Sequence, residues 1–246
     1  MSGQVNERLE EFKTALDKYL HLLKGGSIDR EKSINVERVE LKIMDELWAN
    51  NACRGELQSV IDGLLSSGWL GEAFHRVAEM VGLSLTRDVD VRIVLREFLA
   101  GNMEREETTI MAILVQAIAR CVAEERLNEG VEDRTGPICP VCGAESKTMV
   151  VRDDGYHMVC PFCSYEWRIS KDRVICPYCG NSDPVSIGVF TDKKRRIGLL
   201  VCQECGETWR AILDRGIRAP RILLPVLSMG AEAFRKFLHE DMARRK

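Results

Sequence analysis

Four Cys-x-x-Cys pairs, Cys139/Cys142, Cys160/Cys163, Cys176/Cys179 and Cys202/Cys205, fall within 67 residues of a 246-residue chain, and only Cys53 and Cys121 lie elsewhere. Soft thiolate donors at about 2.3 Å from a tetrahedral ion come in fours, and two intervening residues let one tight turn aim both sulfurs of a pair at a single point. Each pair therefore supplies half a site. The segment predicts two tetrathiolate metal sites, with Cys139, Cys142, Cys160, Cys163, Cys176, Cys179, Cys202 and Cys205 as the ligands.

The cysteine segment also repeats itself. Cys139-Pro-Val-Cys-Gly143 matches Cys176-Pro-Tyr-Cys-Gly180, and Cys160-Pro-Phe-Cys-Ser-Tyr-Glu-Trp-Arg168 matches Cys202-Gln-Glu-Cys-Gly-Glu-Thr-Trp-Arg210, at offsets of 37 and 42 residues. Two tandem copies of one unit explain the preserved order. Between the pairs of the first copy, Asp154-Gly155 marks a hairpin turn flanked by Met149–Val151 and Tyr156–Val159. The second copy has Val185–Phe190, a charged turn at Asp192–Arg196, and Ile197–Val201. Pair, hairpin and pair make a rubredoxin-like or zinc-ribbon knuckle module. Pairing in sequence order respects the repeat, while crossed pairing uses the 12-residue gap between Cys163 and Cys176. His157, three residues before Cys160, is a conceivable ligand, but eight cysteines leave it an ordinary strand position. Trp167 and Trp209, each four residues after a second cysteine, read as core aromatics that shield the sites.

Upstream, the pattern is helical. Leu9, Phe12, Leu16, Tyr19, Leu20 and Leu23 lie on one stripe of a helix over Asn6–Lys24, which Gly25-Gly26 ends. Helices follow at Val36–Trp48, Leu57–Leu65, Phe74–Val81, Val89–Leu99 and Glu104–Leu127, with Asp88 and Asn102 as N-caps and Gly68, Gly71 and Gly82 as punctuation. In the last helix, Ile110, Ile113, Leu114, Ala117, Ile118 and Cys121 should face inward. Cys53 and Cys121 read as small packed side chains. Asn128–Pro137, rich in turn formers and charge, reads as a hinge. The fold class is thus α+β and multidomain: an all-α domain over 1–136, ribbon modules over 137–173 and 174–213, and a tail with a helix over 214–246.

Charge supports the division. Residues 1–136 hold 17 Lys/Arg against 25 Asp/Glu, and residues 137–246 hold 18 against 13. Four thiolates on a divalent ion leave two negative charges per site, so metallation reduces the second half from +5 to about +1. No apolar run approaches the ~18 residues of a membrane span, and Glu7, Glu10, Glu11 and Asp17 are incompatible with an export signal. A cytoplasmic location, with reduced thiols, is expected. No phosphate-binding glycine loop occurs, and a closed four-cysteine site leaves no open coordination position, so enzyme activity is not expected.

Cys160-x-x-Cys163-x-x-Glu166-Trp167-Arg168, continued by Arg173-x-x-Cys176-Pro-x-Cys179-Gly180, resembles the centre of the formate dehydrogenase accessory (formation) protein family. Cys139-Pro-Val-Cys-Gly143, the Cys202/Cys205 pair and Leu114-Val115-Gln116-Ala117 extend the likeness. The resemblance implies a helical domain joined to two rubredoxin-like sites, one held by Cys139, Cys142, Cys160 and Cys163 and the other by Cys176, Cys179, Cys202 and Cys205. It further implies two metal ions per chain, Fe or Zn. The implied role is chaperone-like: a cytoplasmic accessory protein whose partner is a formate dehydrogenase catalytic subunit, with no membrane and no nucleic acid involved. The alternative is a zinc-ribbon nucleic-acid or transcription-associated binding protein using Lys193–Arg196, Arg210, Arg215, Arg218 and Arg221. Electron transfer through rubredoxin-like iron is a third reading.

Overall fold

The computed structural model describes residues 30–83, 85, 89–191 and 197–215. The helix expected at Asn6–Lys24, the cap at Asp88, the charged turn at 192–196 and the tail beyond Arg215 lie outside the described residues. Among these residues there are five helices, α1 (Arg30–Ala49), α2 (Leu57–Ser66), α3 (Trp69–Met80), α4 (Val91–Leu99) and α5 (Glu106–Glu129), then six strands. No described helix is long and apolar enough to cross a membrane.

Periodicity becomes packing most simply in α1, where Val39, Ile43 and Leu47 are buried, and in α3, where Leu70, Ala73, Phe74 and Val77 are fully enclosed. Residues three and four apart share one face of a helix, so each element offers one apolar stripe to the core. Gly68 supplies the left-handed residue that starts α3, whereas Gly71 lies inside that helix rather than breaking it. Asp90 caps α4 by accepting from the Arg92 N–H at 2.9 Å. Helix α5 differs from the rest. Met111, Val115, Ala119, Val122 and Ala123 are buried along with Ile110, Leu114, Ala117, Ile118 and Cys121, so the helix is enclosed on nearly every side, and all four other helices pack on it. Such a helix is the axis of its domain. Buried Glu40 on α1 is matched by Arg120 of α5 at 3.2 Å, which keeps a carboxylate in the core from being isolated.

One expectation is corrected here. Cys53 and Cys121 are not separate packed thiols; they form a disulfide that ties the turn after α1 to the middle of α5, across 68 residues. Both are buried, and burial at opposite ends of so long a loop leaves no local pattern to announce the partnership.

The strands are β1 (Thr148–Arg152), β2 (Gly155–Val159), β3 (Glu166–Ser170), β4 (Ile187–Thr191), β5 (Ile197–Cys202) and β6 (Thr208–Ile212). Both copies of the repeat lie in one six-stranded sheet of order β3-β2-β1-β6-β5-β4. Within each copy every pairing is antiparallel; the seam between them, β1 against β6, is parallel, with Thr148 opposite Arg210 and Val150 opposite Ile212. The hairpin forms, but its turn residues are Asp153-Asp154, one position earlier than expected, and Gly155 opens β2 opposite Arg152. Glycine is required at 155 because φ is +139° and a Cβ would run into the backbone of Ser170.

Residues 128–137 are not a free hinge. Helix α5 continues to Glu129, and the chain then runs beside β3: the Arg134 N–H donates to the Arg168 carbonyl and the Arg168 N–H to the Glu132 carbonyl, both at 2.9 Å. The Arg168 guanidinium grips Asp133 through two bonds, at 2.5 and 3.0 Å, and reaches Asp154 at 2.8 Å. Its hydrogen bonds hold the Asp133 carboxyl below the usual carboxylate range. The turn-rich composition that suggests a hinge conceals an edge pairing that only the folded β3 creates.

Candidate metal centres

Each Cys-x-x-Cys pair adopts the same knuckle. In all four, the first cysteine's N–H donates to the carbonyl five residues on (Ala144, Tyr165, Asn181, Glu207; 2.8–2.9 Å). The residue after the second cysteine (Gly143, Ser164, Gly180, Gly206) donates back to the first cysteine's carbonyl at 2.8–3.1 Å. Closing this loop needs a left-handed residue at that fifth position, and φ is +74°, +62°, +76° and +75° in the four knuckles. Glycine adopts this at no steric cost. Ser164 does not, and its hydroxyl is also buried without a partner. Ser164→Gly should therefore raise stability by about 1 kcal/mol, read as a higher denaturant midpoint with an unchanged slope.

The knuckles converge in sequence order. Cys139, Cys142, Cys160 and Cys163 form one group and Cys176, Cys179, Cys202 and Cys205 the other, each with its sulfurs within 4.8 Å of one another. In the first, the Cys139–Cys163 and Cys142–Cys160 sulfurs are 3.5 and 3.4 Å apart; in the second, Cys176–Cys205 and Cys179–Cys202 are 3.6 and 3.7 Å apart. A tetrahedral ion with bonds of about 2.3 Å has sulfur–sulfur edges of about 3.8 Å. Both groups therefore fit a tetrahedral thiophilic ion.

Acid–base chemistry makes the same point. In the first group, hydrogen bonds from the Cys142, Cys160 and Cys163 thiols drive Cys139 toward the thiolate, far below the ordinary thiol range. Cys142 is raised by its bond to Cys139 but lowered more by the Cys160 and Cys163 thiols, and ends below normal. Cys160 and Cys163 are driven up, chiefly by their bonds to Cys139 and Cys142. Four sulfurs this close cannot all ionise alone, and a divalent cation supplies the charge that lets them. In the second group burial pushes Cys176 and Cys205 up. Burial also raises Cys202, but the Cys205 N–H, the Asn181 amide and the Glu204 N–H outweigh it and bring the thiol down to about 7.

Surrounding residues hold the first group rigidly. Trp167 is fully buried, stacks on Tyr165 at 6.5 Å and donates its indole N–H to the Gly136 carbonyl at 3.1 Å. Trp209 occupies the same place in the second copy and is equally buried. Helix α5 reaches both knuckles of the first group: the Gln116 amide donates to the Phe162 carbonyl at 2.9 Å and Arg126 to the Pro140 carbonyl at 3.2 Å. These contacts carry no local sequence signal, because each partner is defined by a residue remote in the chain. His157 joins neither group. It is buried on β2, where Nε2 meets the Asp154 carboxylate at 2.9 Å. Of the residues proposed for a basic surface, Arg210 is buried in β6 and Arg215 pairs with Asp153 at 3.1 Å. Lys193–Arg196, Arg218 and Arg221 lie outside the described residues.

No protein-family model and no curated protein matches the chain. Among solved structures, the crystal structure of the FdhE protein from Pseudomonas aeruginosa is similar to it at a TM-score of 0.43 and 17% identity, over 85% of this chain and 69% of that one.

Proposed function

We propose that this chain is a metal-binding accessory protein that holds two ions, of iron or zinc, and assists the maturation or activation of formate dehydrogenase or a related redox enzyme in the cytoplasm. The observation that carries the metal reading is the convergence of eight sulfurs into two groups of four at tetrahedral spacing. Cys139, Cys142, Cys160 and Cys163 would hold one ion and Cys176, Cys179, Cys202 and Cys205 the other. Bound there, the ion neutralises thiolate charge and cross-links two knuckles.

No catalytic role is assigned, since four protein sulfurs leave an ion no open position for substrate. The client assignment rests on the motif that runs from Cys160 through Glu166-Trp167-Arg168 to Cys176-Pro-Tyr-Cys-Gly180. A rigid, metal-cross-linked sheet suits recognition of a protein surface. Binding to nucleic acid is disfavoured by the burial of Arg210 and the ion pair of Arg215, which reduce the positive surface that phosphates require.

Protein purified without oxygen should contain two metal equivalents per chain by elemental analysis. Elemental analysis identifies the metal; after addition of ferricyanide, iron should show a visible thiolate-to-iron absorption that bleaches on reduction, whereas zinc stays colourless. A tagged chain used as bait should retain a formate dehydrogenase catalytic subunit. Recovery of nucleic acid in a salt-sensitive manner instead, with no such subunit, would overturn the accessory reading in favour of the nucleic-acid one.

A further inference from the structure

The two groups of cysteines have the same donors but not the same surroundings. In the first, Cys139, Cys160 and Cys163 are buried and Cys142 half-buried; in the second, Cys176 and Cys202 are buried while Cys179 and Cys205 are exposed. The first group is also clamped from outside its own module, by Gln116 and Arg126 of α5 on the Phe162 and Pro140 carbonyls. Near the second, Val185 is 85% exposed, two residues before Ile187, the β4 residue that pairs with Cys202 of β5.

Exchange at a four-coordinate thiolate site is associative. An incoming donor must reach the ion before a thiolate leaves, and the departing thiolate must then take up a proton from water. Both steps need an open face and a sulfur that can swing into solvent. The second group provides them at Cys179 and Cys205, one from each of its knuckles, so a bidentate ligand can displace one thiolate from each side in turn. The first group offers at most Cys142, and opening its knuckles also requires breaking the contacts to α5.

Accepting that both groups bind metal, we infer that they divide the labour: Cys139, Cys142, Cys160 and Cys163 hold a permanent structural ion, and Cys176, Cys179, Cys202 and Cys205 form an exchange site that yields its ion to soft or nitrogen-donor ligands. The exchange site is the one through which the protein takes up or releases metal while its sheet stays folded around the other.

The test uses the full chain loaded with zinc and challenged with excess 4-(2-pyridylazo)resorcinol, whose zinc complex is read by absorbance. Total zinc, measured first, tests the metal reading independently: two equivalents uphold it, and less than one removes both that reading and this inference. Given two, release should be biphasic, one equivalent per phase, the fast phase at least about tenfold quicker. Cys205→Ser should delete the fast phase and leave the slow one unaltered. Because such a variant can misfold, the wild-type chain is also pulsed with N-ethylmaleimide during release and mapped by peptide mass spectrometry; Cys179 and Cys205 should be modified first. A single phase carrying both equivalents, or first modification among Cys139–Cys163, would overturn the division while leaving the two metal sites intact.

Discussion

Cys160→Ser lowers the metal content from two equivalents per chain to one, unfolds the first module and loosens β6 where it adjoins β1. Cys160 is fully buried, and two backbone N–H groups, from Phe162 and Cys163, point at its sulfur at 3.3 and 3.4 Å. A serine oxygen is a poor substitute for a soft donor and leaves three crowded thiols behind. Because an unfolded chain holds no preformed site, the binding energy of a structural ion, about 10 kcal/mol or more for zinc-finger peptides, is folding energy. The damage should spread because β1 and β6 pair directly, and Arg210 of β6 donates its N–H to the Lys147 carbonyl at 2.8 Å. Elemental analysis and amide hydrogen exchange across residues 148–212 check this. Full metal content in the variant, or loss of protection confined to β1–β3, would contradict it.

Cys53→Ala should weaken the helical domain without changing the metal content. The disulfide closes a loop of 68 residues between the turn after α1 and the centre of α5. Removing such a cross-link releases about 4 kcal/mol of loop-closure entropy to the unfolded chain, before any packing loss. The measurable result is a lower helical melting temperature, reproduced in the wild-type chain by a reductant that leaves both ions bound. Equal melting of reduced and oxidised protein would show that the cross-link contributes nothing. The same experiment separates the two kinds of cysteine, since none of the eight others is in a disulfide.

How legible these features were in the sequence follows from the range of the interactions behind them. The eight clustered cysteines declare themselves because a knuckle is a five-residue device whose residues are neighbours in sequence; the hairpin between β1 and β2 is readable for the same reason, though its turn falls at Asp153-Asp154. Sequence order also points to the right grouping of the pairs. Helix existence is readable from stripes such as Val39, Ile43 and Leu47. What stays hidden is set by partners far along the chain: the bond between Cys53 and Cys121, the parallel seam of β1 with β6, and the clasp of Asp133 by Arg168. The cap of α4 is Asp90, whose carboxylate meets the Arg92 N–H, where the sequence points to Asp88; two aspartates so close are both chemically suited to the role. Arg210 counts as a cation in any tally of charge, yet burial in β6 withdraws it from any surface role.

The parallel seam has a consequence for how such a molecule terminates. The first strand of one repeat joins the last strand of the other, so unlike edges meet, as in a head-to-tail contact, and unlike edges by themselves permit indefinite propagation. Gene duplication on this plan risks fibre-like stacking of sheets between separate molecules. Residues 132–134, laid along β3, occupy hydrogen-bonding groups at that margin that another strand would otherwise pair with.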